Sequence, residues 1–310
     1  MTNNATWPIE LGTTGVLGAG RWLWLRAILW TALLSAGALG FLFGTMDLRG
    51  WLNLPPNSSY VIFLVVPLLG FVTYAVIVRF AEARTPVEVL PSAGMLTELL
   101  TGATIGFITL CSTTAVLWSL GLYQVQRSNW RWSDALGSFL FDSYLSGMLE
   151  ELLFRAIVLR ILARAFGNRW GLVLSAVLFG AAHLGHVSWI AALAIVLRGG
   201  LVTGLLYMAT GRLWMSIGLH TAWDFIEDFV LGVNKHHGFL RTTLVAGKPE
   251  LLTGGPFGPN GSLLAMIVGV LTCVAIQWAW QRGYFQRLPE AKRSLSTLRA
   301  SSQPALRSQA

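Results

Sequence analysis

Eight apolar runs, spread along most of the chain, decide what it can fold into. They cover residues 22–45, 58–80, 98–123, 147–165, 170–187, 189–210, 212–231 and 262–281. Each is about as long as a helix must be to cross a hydrocarbon core ~30 Å thick. Backbone in lipid is satisfied only inside helices or closed barrels, and runs that are continuous rather than alternating exclude a barrel. The fold class is therefore all-α, a polytopic membrane helix bundle of about eight transmembrane helices. Only 12% of the residues are charged, against about 25% in ordinary soluble domains.

The net charge of +8 comes from Lys and Arg scattered between the runs and in the C-terminal tail. No basic domain gathers them, so nucleic acid is excluded as a partner, and the lipid bilayer is the expected surrounding. A positive-inside bias accounts for the charges. It places the tail in the cytoplasm of a cell whose inner membrane holds the protein, with the first run as a retained anchor after Arg21. Three spans fill an N-terminal region, 1–125. A core occupies 126–262, a final span lies in 263–287, and a polar, Ser-rich tail at 288–310 is expected to be disordered. Within the core, 126–146 suits an interfacial helix with Trp anchors. Gly147 marks an expected break after it, and 232–261, rich in Gly and Pro, an irregular loop. Cys111 and Cys273 lie in apolar runs as small hydrophobes.

The fourth run, GMLEELLFRAIVLRILARAF, carries Glu150, Glu151 and Arg155. One charge at the centre of a spanning helix costs roughly 2.5–3.5 kcal/mol, so these three need partners. Glu151 and Arg155 stand at i and i+4 and face each other, whereas Glu150 points about 100° away. One acid is thus left over. Phe179 and His183 share a face of the next run. His220, Asp224, Glu227 and Asp228 make a polar stripe down another, the last two expected near the membrane surface. His220 and Asp224 must turn inward, away from lipid. Acids and imidazoles on three helices then converge. A desolvated carboxylate is a strengthened base, and a histidine beside it can relay a proton. A second imidazole can stabilise an oxyanion. The set suits activation of water for attack on a carbonyl. Arg198, in the sixth run, is expected to pair with Asp224 or Glu151 or to join two helices.

The ordered trio of Glu150-Glu151-x-x-x-Arg155, Phe179-x-x-x-His183 and His220-x-x-x-Asp224 resembles the CAAX prenyl protease 2 family. This is also called the CPBP or Abi family of intramembrane endopeptidases. The resemblance covers roughly residues 140–262. It implies an endopeptidase acting on a membrane-associated protein or peptide, with Glu150 and His183 activating water and His220 and Asp224 stabilising the oxyanion. Arg155 would hold Glu151, and Phe179 would pack beside the site. Asp224 stands where many members have Asn, which sets it apart from a simple oxyanion donor. Members have been described as metalloproteases and as metal-independent glutamate proteases. Glu150, His183 and His220 would be the ligands if zinc were the cofactor, but direct activation of water is the expectation. Charge bias turns Glu150 and His183 toward the non-cytoplasmic face, so a prenylated substrate does not follow. Two other classes use such residues: a proton-coupled transporter, and a non-catalytic immunity or scaffold protein on the same fold.

Overall fold

The computed structural model describes residues 7–53, 58–233 and 238–285. The tail read at 288–310, and Lys235, His236 and His237 of the loop, lie outside them. Among the described residues the main helices are α1 (Leu23–Trp51), α2 (Ser58–Ala81), α3 (Met95–Ser119), α4 (132–166), α5 (Asn168–Ala182), α6 (Trp189–Thr210), α7 (214–230) and α8 (Leu263–Gln281). Five of them, α1, α2, α3, α6 and α8, contain a stretch long and apolar enough to cross a membrane. Of the other three, α4 carries Glu150, Glu151 and Arg155, while α5 is a short helix of 15 residues. Leu29, Leu33, Val61, Leu271 and Val274 are each over 60% exposed, the expected state of side chains turned to lipid rather than to other helices.

At one end of the bundle Trp7 stacks on Trp280 at 3.8 Å, and Arg212 Nε donates to Glu98 Oε1 at 2.9 Å. Arg26, inside the first run, reaches back to the carbonyls of Val16 and Gly18. The same end holds a buried charge knot. Arg160 donates to both oxygens of Glu82 at 2.7 and 2.8 Å. Arg84 joins Glu82 (2.8 Å) to Glu88 (2.6 Å), and the Tyr74 hydroxyl donates to Glu88 at 2.5 Å. Burial alone would push the Glu82 and Glu88 carboxyls up. The Arg160 and Arg84 guanidiniums beside them more than offset it and hold both below the ordinary value.

Helices α3 and α7 pack tightly because glycine removes side chains from their seam. A Cβ on Gly106 would stand 2.8 Å from the Leu219 carbonyl oxygen, and Cβ atoms on Gly102 and Gly218 would run into the Met215 and Leu99 backbones. Small residues at a four-residue spacing let membrane helices approach in this way. Gly218→Val should therefore separate α3 from α7 and cost about 1–3 kcal/mol or more, the usual penalty of overpacking. A drop in the detergent melting temperature with loss of activity is expected; a variant that melts with the wild type would contradict the close seam.

Three expectations need correction. Gly147 makes no break: the backbone is helical from Trp132 to Phe166, passing through π-helical stretches at Ser138–Tyr144 and Leu152–Leu159. Its missing Cβ instead admits Thr221 of α7. Residues 126 and 127 are not helical either. They end a strand, Tyr123–Arg127, paired antiparallel with Leu240–Leu244, so that Tyr123 faces Leu244 and Arg127 faces Leu240. The loop at 232–261 is thus partly a sheet, bound further by the Tyr123 hydroxyl donating to the Thr253 carbonyl at 2.6 Å. β-Branched residues at 242–243 and alternating Gln-Val-Gln at 124–126 suit a pleated pair outside the apolar bundle.

Candidate active site

Four helices enclose a cavity of about 310 Å³. Glu150 comes from α4, Phe179 from α5 and His183 from its C-terminal end, and His220, Asp224 and Glu227 from α7, while α6 supplies Arg198 and Thr203. Every residue singled out from sequence lines this space except Glu151 and Arg155, which stand directly behind it at 0% exposure. π-Helical turns lie beside it on three of the helices, at Leu152–Leu159, Ile195–Gly200 and Ile226–Val230. Such turns re-aim side chains and gather at functional sites.

The two glutamates have different surroundings. Glu151 Oε2 lies 3.0 Å from Arg155 Nε, the pair that their spacing requires. That contact is one of charge rather than an aligned hydrogen bond, because Arg155 directs its Nε and Nη2 protons at Thr203 Oγ1. The other oxygen of Glu151 accepts from His220 Nδ1 at 2.8 Å. A carboxylate there fixes the imidazole with its proton on Nδ1 and turns Nε2 to the cavity. Nε2 stands 3.5 Å from Asp224 Oδ2 and 3.9 Å from Glu150 Oε2. Glu150, 34% exposed, keeps its Oε2 without a hydrogen-bond donor among the described residues, which leaves there the lone pair that a base must offer.

His183 places Nδ1 2.8 Å from the Phe179 carbonyl. Its Nδ1–H donates there, which leaves Nε2 as the basic nitrogen. The Phe179 ring stands edge-on to His183 and His220, with centroids 5.1 and 6.0 Å away. On its other side the Arg155 guanidinium sits 4.7 Å from the ring centroid. One aromatic ring thus spaces both imidazoles and covers the buried cation.

Sequence reasoning missed several contributors. Ser146 donates to Asp224 Oδ2 at 2.6 Å; it lies one helical turn before Glu150, a signal that was available. Thr203 takes the Arg155 protons, as described. Asn260, in the loop before α8, had no periodic pattern to mark it. Arg198 pairs with neither Asp224 nor Glu151. It donates to Asn260 Oδ1, while Asn260 Nδ2 donates to Glu227. Glu227 is accordingly a cavity residue, not a solvated one at the surface. Among the described residues no group of three His, Cys, Asp or Glu side chains is arranged to hold a metal ion. His220 Nδ1 is committed to Glu151 and His183 Nδ1 to a carbonyl, which leaves the Nε2 of each imidazole uncommitted to either.

A carboxylate without a donor on one oxygen, two imidazoles each held through Nδ1 and a buried acid–arginine brace, all in a helix bundle, have the groups needed to take a proton from water and to stabilise charge on an oxygen. A family model described as Rce1-like, type II CAAX prenyl endopeptidase Rce1-like, matches residues 130–226. That stretch carries all three motifs, from just before α4 into α7, and supports the resemblance to the CAAX protease family. No curated protein and no solved structure matches the chain. The core of the chain is thus similar to the intramembrane CAAX proteases, and five of its helices are long and apolar enough to cross a membrane.

Proposed function

We propose that the protein hydrolyses a peptide bond in a membrane-associated protein or peptide, with water activated by Glu150 and His183. The observation that carries this is the convergence of Glu150, His183 and His220 on one cavity, with Glu151 and Arg155 braced behind them. Glu150 takes the proton of a water molecule, and His183 Nε2 accepts a hydrogen bond from the same water and aims it. The hydroxide attacks the peptide carbonyl. His220 acts as the imidazolium, kept charged by the Glu151 and Asp224 carboxylates beside it, and donates Nδ1–H to Glu151 and Nε2–H to the oxygen on which charge develops. Asp224, held by Ser146, lies on the far side of Nε2 and keeps the ring in register. The protonated Glu150 then returns its proton to the leaving amine as the carbon–nitrogen bond breaks.

If each of the eight helices crosses the bilayer with the tail in the cytoplasm, this cavity opens toward the non-cytoplasmic face, where the sheet and the loop before α8 lie. Purified protein incubated with membrane-anchored peptides tests the reading. Cleavage should survive a chelator and should fall by about 100-fold in His183→Ala, the low end of what a proton-transfer partner supplies. A rate abolished by the chelator and restored by Zn²⁺ would sink the water-only mechanism.

A further inference from the structure

Arg198 has charge and reach that the proposed hydrolysis does not use. It is 2% exposed and makes no ion pair among the described residues. Its surroundings nevertheless fix it closely. The backbone is held by α8, since a Cβ on Gly269 would stand 3.0 Å from the Arg198 Cα. The guanidinium lies over the Trp223 ring, 3.6 Å from its centroid. Nη1 donates to Asn260 Oδ1. Glu227, by accepting from Asn260 Nδ2, sets which end of that amide meets the arginine, because only this orientation gives a donor to the carboxylate and an acceptor to the cation.

What remains is chemically specific. Nε and Nη2 are buried and have no hydrogen-bond partner. These two N–H groups share one edge of the planar guanidinium, the fork that grips both oxygens of a carboxylate at once. A buried cation whose nearest counter-charge, Glu227, is reached only through Asn260 is costly to keep, and Trp223 and Asn260 hold this one still. It lines the same cavity as Glu150 and His220.

We infer that Arg198 is a carboxylate-binding subsite of the active cavity. It receives an anionic carboxylate of the peptide substrate, with Trp223 and Asn260 positioning the fork. The assignment deepens the proposed peptidase reading. A cavity of about 310 Å³ is near the small end of ligand pockets, so the carboxylate gripped would lie close to the bond that is cut. Either the substrate's C-terminus or an Asp or Glu side chain can supply it.

Binding, measured without turnover, separates this inference from the peptidase reading. Full-length protein in detergent, carrying Glu150→Gln so that no probe is consumed, is titrated calorimetrically with three probes. These are N-acetyl-trileucine as the free acid, the same peptide as its C-terminal amide, and an amide with glutamate at the central position. One carboxylate gripped by a charged fork should tighten binding roughly tenfold to a hundredfold over the neutral amide. The free acid showing that gain identifies a C-terminal carboxylate, and the glutamyl amide showing it identifies a side chain. Arg198→Gln should close the gap by weakening the carboxylate probe to the level of the amide. Arg198→Lys, which keeps the charge and loses the fork, should close part of it and serves if Arg198→Gln does not fold. Three probes that bind alike, including no binding of any, overturn the inference. So does a gap that both Arg198 variants leave in place, or one in which acid and amide weaken together.

Discussion

Glu151→Gln is expected to lower peptide cleavage by about 10²–10⁴-fold, although Glu151 never reaches the substrate. A buried carboxylate that holds a catalytic imidazole fixes its tautomer and its orientation, and losses of that order follow when the charge alone is removed. Here Glu151 Oε1 receives His220 Nδ1 at 2.8 Å, while its other oxygen neutralises Arg155 at 3.0 Å. A glutamine keeps the shape but can present its NH₂ to one of these groups, and it gives neither a counter-charge. The Arg155 guanidinium, at 0% exposure, is then a buried cation without its partner. That should remove about 3–5 kcal/mol of stability. Adding Arg155→Met to Glu151→Gln separates the two roles: the pair should melt closer to the wild type and remain slow. A Glu151→Gln enzyme of normal rate would show that His220 needs no orienting acid.

Arg160→Met is the second large effect, and it concerns stability at the end of the bundle away from the cavity. The side chain makes two hydrogen bonds to Glu82, one to the Ala156 carbonyl at 2.8 Å and one to Leu11 at 3.2 Å. It thereby ties the segment before α1, the turn after α2 and the last turns of α4 into one knot. Removing the cation leaves Glu82 short of a partner inside the protein, a change worth about 3–5 kcal/mol. The sign of the pH dependence follows from the depressed carboxyls of Glu82 and Glu88. A carboxyl whose folded value is lowered contributes stability that is fully present above its ordinary value near 4.5. That stability is lost as pH falls through the lowered folded value. The wild type should therefore lose stability only on acidification below about that pH. Arg160→Met should lose less stability on acidification, because the depression of Glu82 weakens and the window between its folded and ordinary values narrows. Melting temperatures in detergent across a pH series measure both; an unchanged acid profile in Arg160→Met would contradict the assignment.

Much of the site could be read from spacing because helices convert sequence distance into direction. Four residues bring Glu151 to Arg155, and the same interval brings Phe179 to His183 and His220 to Asp224. Each pair is found as the helix dictates. What spacing along one helix cannot express is the partner on another. Nothing in the apolar text around Thr203 marks it as the seat of the Arg155 protons. Asn260, in a Gly- and Pro-rich loop, could not be assigned to Arg198 and Glu227. The stripe from His220 to Asp228 was read correctly as a stripe, but its lower half was assigned to water because the loop that covers it had no visible structure. The strands at 123–127 and 240–244 were missed for a related reason: their pairing joins segments more than a hundred residues apart. The Gly102-x-x-x-Gly106 spacing stands in the sequence but was not used, and it marks the close seam between α3 and α7. Of the eight runs, five return as helices apolar and long enough to cross a membrane, and the polar site residues are what set α4 and α7 apart from them.

Cleavage by the wild type and by Glu150→Gln, reconstituted in the same lipid vesicles with the same membrane-anchored peptides, tests the central claim most directly. New peptide termini are identified and counted by mass spectrometry. Glutamine preserves the shape of Glu150 and abolishes its basicity, so the wild type should generate new carboxyl termini while Glu150→Gln generates them at least about 100-fold more slowly. The same termini appearing at equal rates from both proteins would show that Glu150 is not the base that activates the attacking water.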